Sequence, residues 1–509
     1  MYCKVLTGAI NGIESYIASV EVDVSTGLPG FEMVGLLGHE VREARERVKV
    51  ALKNTGIQIP ATKITVSITP ADMRKEGAAY DLPIAVAVLI ALGNIPMEYV
   101  EDTVIIGELG LNGEIRSVKG VLPIVRKAKE AGCKRCIVPI LNYAEAAIIE
   151  EIDVVGVASL EETITYLTQT EEQRMKWETM VEKPQNDGKQ EMELDFADLN
   201  GQEGVRRAVE IAAAGFHHIL MVGPPGSGKT MVAKRIPTIL PDLTMEESLE
   251  VSTIYSVAGM LHGSGGLMKK RPFLDPHHTI SEQALAGGGR IPKPGVISLA
   301  HRGVLFLDEM PEFRRSALEI LRQPLEDKRV HIARTYGSFI YPADFMLVAA
   351  MNPCPCGYFP DRNRCTCSEN EVKRYMHKIS GPILDRIDIA IEAPKVDIRQ
   401  LSAQTQNESS AQMKERVMEA RARQEVRFKD SSYRFNSELK GADIREYCPL
   451  EQAEQEFMEQ VFNRMNLSAR SYHKLIKVAR TIADLDGADK ITQAHLGEAV
   501  CYRMNEGGR

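Results

Sequence analysis

The sequence predicts an α/β protein that ends in a helical unit, and three observations carry that expectation. An apolar run, Ile219-Leu220-Met221-Val222, opens directly into Gly223-Pro224-Pro225-Gly226-Ser227-Gly228-Lys229-Thr230. That string fits G-x-x-x-x-G-K-[ST], a strand-to-helix loop that wraps phosphate. A second apolar run, Gly303 to Leu307, ends in the carboxylate pair Asp308-Glu309. From residue 396 onward the apolar residues recur at helical spacing.

A chain of 509 residues is long enough for several domains and several cores. Apolar residues make up 44% and charged residues 26%, the balance of an ordinary soluble protein. The net charge of −8 argues against a generally basic nucleic-acid binder but leaves room for a local basic lining. No secretory leader is visible at Met1-Tyr2-Cys3-Lys4-Val5-Leu6, and the longest apolar stretch, Leu82 to Leu92, is too short to span a bilayer. Nine cysteines, several at C-x-C or C-x-x-C spacing, read as thiols or metal ligands rather than a secreted disulfide framework. The expected location is the cytoplasm, without a membrane.

In chain order, residues 1–168 read as a self-contained α/β unit. Ile13 to Val24 alternates like a strand. His39 to Lys53 carries Val41, Ala44, Val48 and Leu52 on one helical face and stops at Gly56. Ile64 to Ile68 is a strand, and Asp81 to Leu92 a buried helix. Further strands are expected over Thr103 to Glu108, Gly113 to Ile115 and Cys136 to Pro139, with a helix over Val121 to Ala131. Residues 169–195 are polar, hold the one tryptophan, Trp177, and read as a linker. Residues 196–395 form the phosphate-binding core, entered by a helix over Gly204 to Ala214. Residues 396–509 follow as helices over Lys414 to Phe428, Leu450 to Met465, Ser471 to Leu485 and Thr492 to Arg503, with Pro449 at a helix start.

The chemistry explains the residue types. Glycines let backbone N–H groups close around phosphate oxygens, and the following helix adds a favourable field. Lys229 reaches the β- and γ-phosphates and Thr230 offers a hydroxyl to Mg²⁺. At the carboxyl end of a buried strand, Asp308 would hold Mg²⁺ and Glu309 would orient the attacking water. A third apolar run, Phe345 to Met351, ends in Asn352, an amide placed to sense the γ-phosphate or the water. The cofactors expected are ATP and Mg²⁺.

These three strand ends are followed by Ser380-Gly381-Pro382-Ile383-Leu384-Asp385-Arg386-Ile387-Asp388 and by Leu467-Ser468-Ala469-Arg470. Together they resemble AAA+ ATPases of the magnesium-chelatase clade. The strings Gly201-Gln202, Arg271-Pro272-Phe273, Pro276-His277-His278-Thr279-Ile280-Ser281, Met351-Asn352-Pro353-Cys354-Pro355-Cys356-Gly357 and Val478 to Leu485 are similar to its ComM/YifB branch of competence-related ATPases. The resemblance covers nearly the whole chain and implies an amino-terminal Lon-protease-like (ribosomal S5 domain 2-like) domain, an AAA+ core and a helical lid. It implies that Arg386 is an arginine finger acting on a neighbouring subunit and Arg470 the sensor arginine of the lid, hence a homo-hexameric ring. It further implies a DNA motor for branch migration in recombination of taken-up DNA. The alternative is a chelatase-type motor that remodels a protein partner. A Lon-type serine would fall near Lys75 to Pro83, where none stands, so the first unit is expected to be non-proteolytic, with Lys75, Lys119 and Asp81 as structural or surface groups.

Two further sets stand out. Cys354, Cys356, Cys365 and Cys367 put four thiols in the loop 354–367, which suits tetrahedral zinc or a loop packed by reduced thiols. Cys133 and Cys136 read as structural thiols. Lys269, Lys270 and Arg271, with Lys293, and then Lys328, Arg329 and Arg334 beside a hairpin over Arg329 to Tyr341, are the expected DNA contacts. In the clade it resembles, such hairpins point into the ring pore. His277 and His278 are expected to shape their insert rather than to bind metal.

Overall fold

A computed structural model describes residues 1–170, 173–174, 194–261, 266–289, 292–334, 337–395 and 407–503. The linker expected over 169–195, with Trp177, lies almost wholly outside the described residues, as do 335–336 at the hairpin tip.

The first unit is built on a seven-stranded mixed sheet. Tyr2–Asn11 and Glu14–Ser25 form a long antiparallel pair, with Tyr2 opposite Asp23 and Asn11 opposite Glu14. Lys63–Thr69 joins antiparallel on one side and Gly30–Val34 runs parallel to it at the edge. On the other side Thr103–Ile105, Arg135–Pro139 and Asp153–Val157 are parallel. The alternation in Lys63–Thr69 is that of a strand with one covered face. Helix His39–Asn54 buries Val41, Ala44, Val48, Ala51 and Leu52, and Asp81–Ala91 is buried along its whole length. Tyr2–Asn11, Gly30–Val34 and Asp153–Val157 were not expected from the sequence. Burial runs through consecutive residues at Thr7 to Ala9 and at Val155 to Val157, which breaks the period of two, and Gly30–Val34 is a short edge strand with only Phe31 buried.

The core sheet has five strands, all parallel, in the order Phe273–Leu274, Val304–Leu307, Met346–Met351, Ile219–Val222, Ile389–Glu392. The phosphate-loop strand therefore lies beside the asparagine strand, and the strand ending at Asp308 lies just beyond. In an open parallel sheet, ligands bind outside the carboxyl ends of the strands. His218 ties three of these strands at their entrance: its carbonyl accepts from the Asp388 and Ile389 N–H groups at 3.1 and 3.0 Å, and its Nδ1 accepts from Leu347 N–H at 3.1 Å.

The carboxyl-terminal helices Ser410–Arg427, Gln452–Met465, Ala469–Leu485 and Gln493–Cys501 share one apolar core with the phosphate-loop strand. Buried polar groups hold that packing in register. Gln424 donates to the Ala214 carbonyl at 2.9 Å, and His217 bridges Asp388 and Thr481 at 3.2 and 2.8 Å. Asp484 sits fully buried between Arg427 and Arg480, with its charge paired on both sides.

The first unit docks on helix Met245–Ala258 of the core. The Gly120 and Leu122 N–H groups donate to Ser256 at 2.9 and 3.4 Å, and the Ser256 hydroxyl donates to Glu145 at 2.6 Å. Asn142 braces Glu145 at 2.5 Å. All nine cysteines are free, and no helix among the described residues is long and apolar enough to cross a membrane.

Candidate nucleotide site

Four of the predicted groups converge at the carboxyl ends of adjacent strands. Helix Lys229–Ile239 begins behind Gly228, whose φ of +82° is a conformation that side-chain-bearing residues rarely adopt. This turn aims the first helical N–H groups into the loop, where the helix field favours an anion. The Lys229 ammonium lies on the Gly223 and Pro224 carbonyls at 2.7 and 3.1 Å, and 3.4 Å from Asn352 Oδ1. Burial lowers its pKa, with Asp308 and Glu309 opposing the shift. The Thr230 hydroxyl donates to Asp308 Oδ2 at 2.6 Å across 78 residues of chain. Glu309 takes φ +51°, its N–H held by Asp308 Oδ1 at 2.9 Å, so its exposed side chain leaves the strand in a different direction from its neighbour. A non-glycine residue in that region is uncommon and clusters at functional sites. A hydroxyl touching a carboxylate beside a lysine-bearing loop is the donor set of a Mg²⁺–nucleotide site.

Comparison with known proteins agrees with this geometry. The family model for magnesium chelatase, subunit ChlI, matches residues 195–401. The model for subunit ChlI of Mg-chelatase matches 20–142, and that for the ChlI C-terminal region matches 407–503. The chain is 43% identical to the uncharacterized protein YifB of Escherichia coli, over 98% of this chain and 96% of that protein. It is 40% identical to the competence protein ComM of Haemophilus influenzae, over 98% of this chain and 97% of that one. A partial match, 28% identical over 42% of each chain, is to Lon protease 2 of Bacillus subtilis. The chain belongs to the ComM/YifB family of magnesium-chelatase-like AAA+ ATPases. It is an ATPase.

Within this ComM/YifB ATPase the two arginines are engaged with other groups than those around Lys229. Arg386 is largely buried, donating to the Pro382 carbonyl at 2.6 Å and paired with Glu326. Arg470 is exposed at the start of helix Ala469–Leu485, and its charge reaches the same Glu326. Both arginines hold the Glu326 carboxyl below its usual range, Arg386 by hydrogen bond first.

Three residues near these groups escaped sequence reasoning. Gln202 donates to the Ser227 carbonyl and braces the loop from outside, and the string Gly201-Gln202 was its only trace. Asp275 ends the edge strand as Asp308 ends its neighbour. Its pKa is raised by burial and then by the charge of Asp308. Glu326 carries no motif at all.

The basic residues divide. Arg271 is corrected: its side chain is 6% exposed and its guanidinium is bound by the Pro241 and Arg302 carbonyls at 2.6 and 2.7 Å and by Glu247 at 2.9 Å. It locks an insert in place and cannot reach a DNA backbone. Lys328 has a side chain 40% exposed, its ammonium pairs with Asp344 at 3.2 Å and with Glu438, and it stays a candidate phosphate contact. Lys269, Lys270, Arg329 and Arg334 are exposed. The hairpin pairs Arg329–Arg334 with Gly337–Pro342. Arg334 donates to the Gly289 carbonyl at 3.2 Å.

In the first unit, Lys75 is fully buried, its ammonium on the Pro70 and Met73 carbonyls, and Asp81 is fully buried with Arg47 bidentate at 2.6 and 2.9 Å. Both are structural. Cys136 is buried in its strand and burial raises its thiol pKa, so it is inert beside Cys133. The His277 and His278 rings stack on one another with centroids 4.1 Å apart, and His277 bonds Thr279 at 2.9 Å.

The four thiols of 354–367 do meet. Their sulfurs all lie within 4.8 Å of one another, with separations of 3.4, 3.8 and 3.6 Å among Cys354, Cys356 and Cys365. At a Zn–S length of about 2.3 Å a tetrahedron has an edge of about 3.8 Å. The set fits zinc.

Proposed function

We propose that this ATPase is one subunit of a homo-hexameric ring that moves along branched or duplex DNA in the cytoplasm. Its work would be branch migration during recombination of taken-up DNA. The observation that carries this reading is the division of the catalytic groups. Lys229 meets Asn352 and Thr230 meets Asp308 within one chain, while Arg386 is paired with Glu326. A phosphoryl-transfer site without an arginine is incomplete, and a finger supplied by a neighbour completes it. The chain is similar along its length to a competence protein, and the resemblance to the competence-related branch set out above supports DNA as the substrate.

In this reading Lys229 and the loop N–H groups bind the phosphates, and Glu309 orients water for in-line attack on the γ-phosphorus. Asn352 reports whether that phosphate is present. Arg386 of the next subunit stabilises charge on the transferring group, and Arg470 closes the lid. Thr230 and Asp308 hold Mg²⁺, which supplies charge neutralisation to the phosphates when bound. The four thiols hold one structural zinc ion. Lys269, Lys270, Lys328, Arg329 and Arg334 supply the phosphate contacts. The first unit, read as Lon-protease-like and non-proteolytic, serves as a platform docked on Ser256.

The test is three-strand branch migration by purified protein, with electron microscopy of the ATP-bound form with and without forked DNA. Rings with DNA in the pore and strand exchange that needs ATP are expected. Hexamers that show neither DNA-stimulated ATPase nor strand exchange would sink the DNA reading. The three ChlI family models favour a second reading, a motor acting on a protein partner. ATPase stimulation by a chelatase partner and not by DNA would select it.

A further inference from the structure

The thiol loop touches the nucleotide site at two places. It starts two residues after Asn352, and it returns to the phosphate loop at Gly357. There φ is +86° and the backbone lies so close that a Cβ would stand 2.6 Å from Pro225 Cδ. Only glycine allows that approach.

The loop's backbone hydrogen bonds are local turns, such as Gly357 N–H to the Cys354 carbonyl at 3.0 Å and Cys365 N–H to the Asp361 carbonyl at 2.8 Å. Its buried core is Cys354, Cys365 and Val372, with Cys356, Tyr358, Phe359, Cys367 and Met376 packed around them. No pair of its sulfurs is near the 2.05 Å of a disulfide, the nearest being 3.4 Å. Backbone groups already turn toward sulfur: Phe359 N–H donates to Cys354 Sγ at 3.4 Å. Two cations stand in the same loop, Arg362 over the Phe359 ring at 5.2 Å and Arg364 over the Tyr358 ring at 4.4 Å. Metal ligation of this kind converts a floppy loop into a fixed one, because binding energy becomes folding energy.

We propose that zinc bound by Cys354, Cys356, Cys365 and Cys367 makes this loop a rigid abutment. It presses on Pro225 through Gly357 and fixes the spacing between the phosphate loop and Asn352. The thiols give up their protons to solvent as the ion binds. The proposal rests on the zinc reading given above. Gly357 is thus a positioning residue, and the zinc a determinant of nucleotide affinity rather than a participant in hydrolysis.

The experiment uses the full chain and two readouts, zinc per chain by atomic emission and affinity for a fluorescent ATP analogue. Three forms are compared: the parent, the parent stripped by chelator and then given zinc alone, and Gly357→Ala. The parent should hold one zinc. Stripping should weaken nucleotide binding about tenfold, within the usual range for linked sites, and zinc should restore it. Gly357→Ala should keep its zinc and still bind nucleotide more weakly, a pattern that simple misfolding would not give. A parent without zinc, its four thiols all open to a thiol reagent, overturns the zinc reading and this inference with it. Zinc present in the parent but unchanged affinity in the stripped protein and in Gly357→Ala overturns the abutment alone.

Discussion

In the proposed mechanism the groups around Lys229 and the groups around Arg386 serve one reaction, and the structure holds them in different arrangements. Around Lys229, residues from three strand ends are already within hydrogen-bonding distance, and one chain supplies all of them. Around Arg386, the guanidinium is turned onto Glu326 and the Pro382 carbonyl and shares that carboxylate's field with Arg470. The first group needs only a ligand. In the proposed mechanism the second must exchange a partner before it can act. If the proposed mechanism holds, the difference teaches that nucleotide binding should be a property of the monomer and rapid turnover a property of the assembly.

Substitutions can break that contrast. The largest effect should come from Arg386→Ala, with turnover falling about a thousandfold while nucleotide affinity stays within a factor of a few. Mixed with Lys229→Ala, which should bind no nucleotide, it should recover activity, since each subunit then supplies what the other lacks. Failure of every mixing ratio to recover would place the finger in cis. Next, Glu309→Gln should retain ATP and trap assembled rings while slowing hydrolysis about a hundredfold or more. Turnover equal to the parent's would remove Glu309 from the water-orienting role.

Smaller changes sharpen the comparison. Glu326→Gln frees Arg386 from an exposed carboxylate, and such pairs are worth little. Turnover at limiting protein concentration should rise by about two- to fivefold, read from the concentration dependence of ATPase activity. No change, or a fall, would make Glu326 a support for the finger instead of a latch.

The last test concerns the frame that holds the Lys229 group. Burial pushes the His218 imidazole down to about 4, and its Nδ1 must stay unprotonated to accept from Leu347. Above its unfolded value of about 6.5 its contribution is fully present. As pH falls from there toward 4, only the unfolded chain takes up the proton and stability declines. A fall in melting temperature of about 2–4 °C between pH 7 and pH 5 is expected. His218→Asn, which keeps an acceptor without a titration, should flatten it.

Much of the Lys229 group was legible in the sequence because its chemistry is written in short strings. A phosphate loop needs its glycines and lysine within a few residues, and a catalytic carboxylate sits where a buried strand ends. Helix periodicity placed His39–Asn54 and Asp81–Ala91 within a residue or two. The strands Tyr2–Asn11 and Asp153–Val157 were missed because runs of consecutive buried residues, Thr7 to Ala9 and Val155 to Val157, interrupt their alternation. Arg271 was misread for a related reason. A basic triplet reads as a solvated patch until Glu247 and two carbonyls, all from separate segments, close around one member of it.

By itself, then, the sequence determined which atoms can bind phosphate, hold Mg²⁺ and ligate zinc, since those depend on residue type and local spacing. Tertiary structure alone decided that Thr230 meets Asp308, that Arg386 rests on Glu326, and that Gly357 presses on Pro225. Each of those contacts joins segments far apart in the chain. Which segments meet is fixed by strand order and core packing, and no local pattern encodes either.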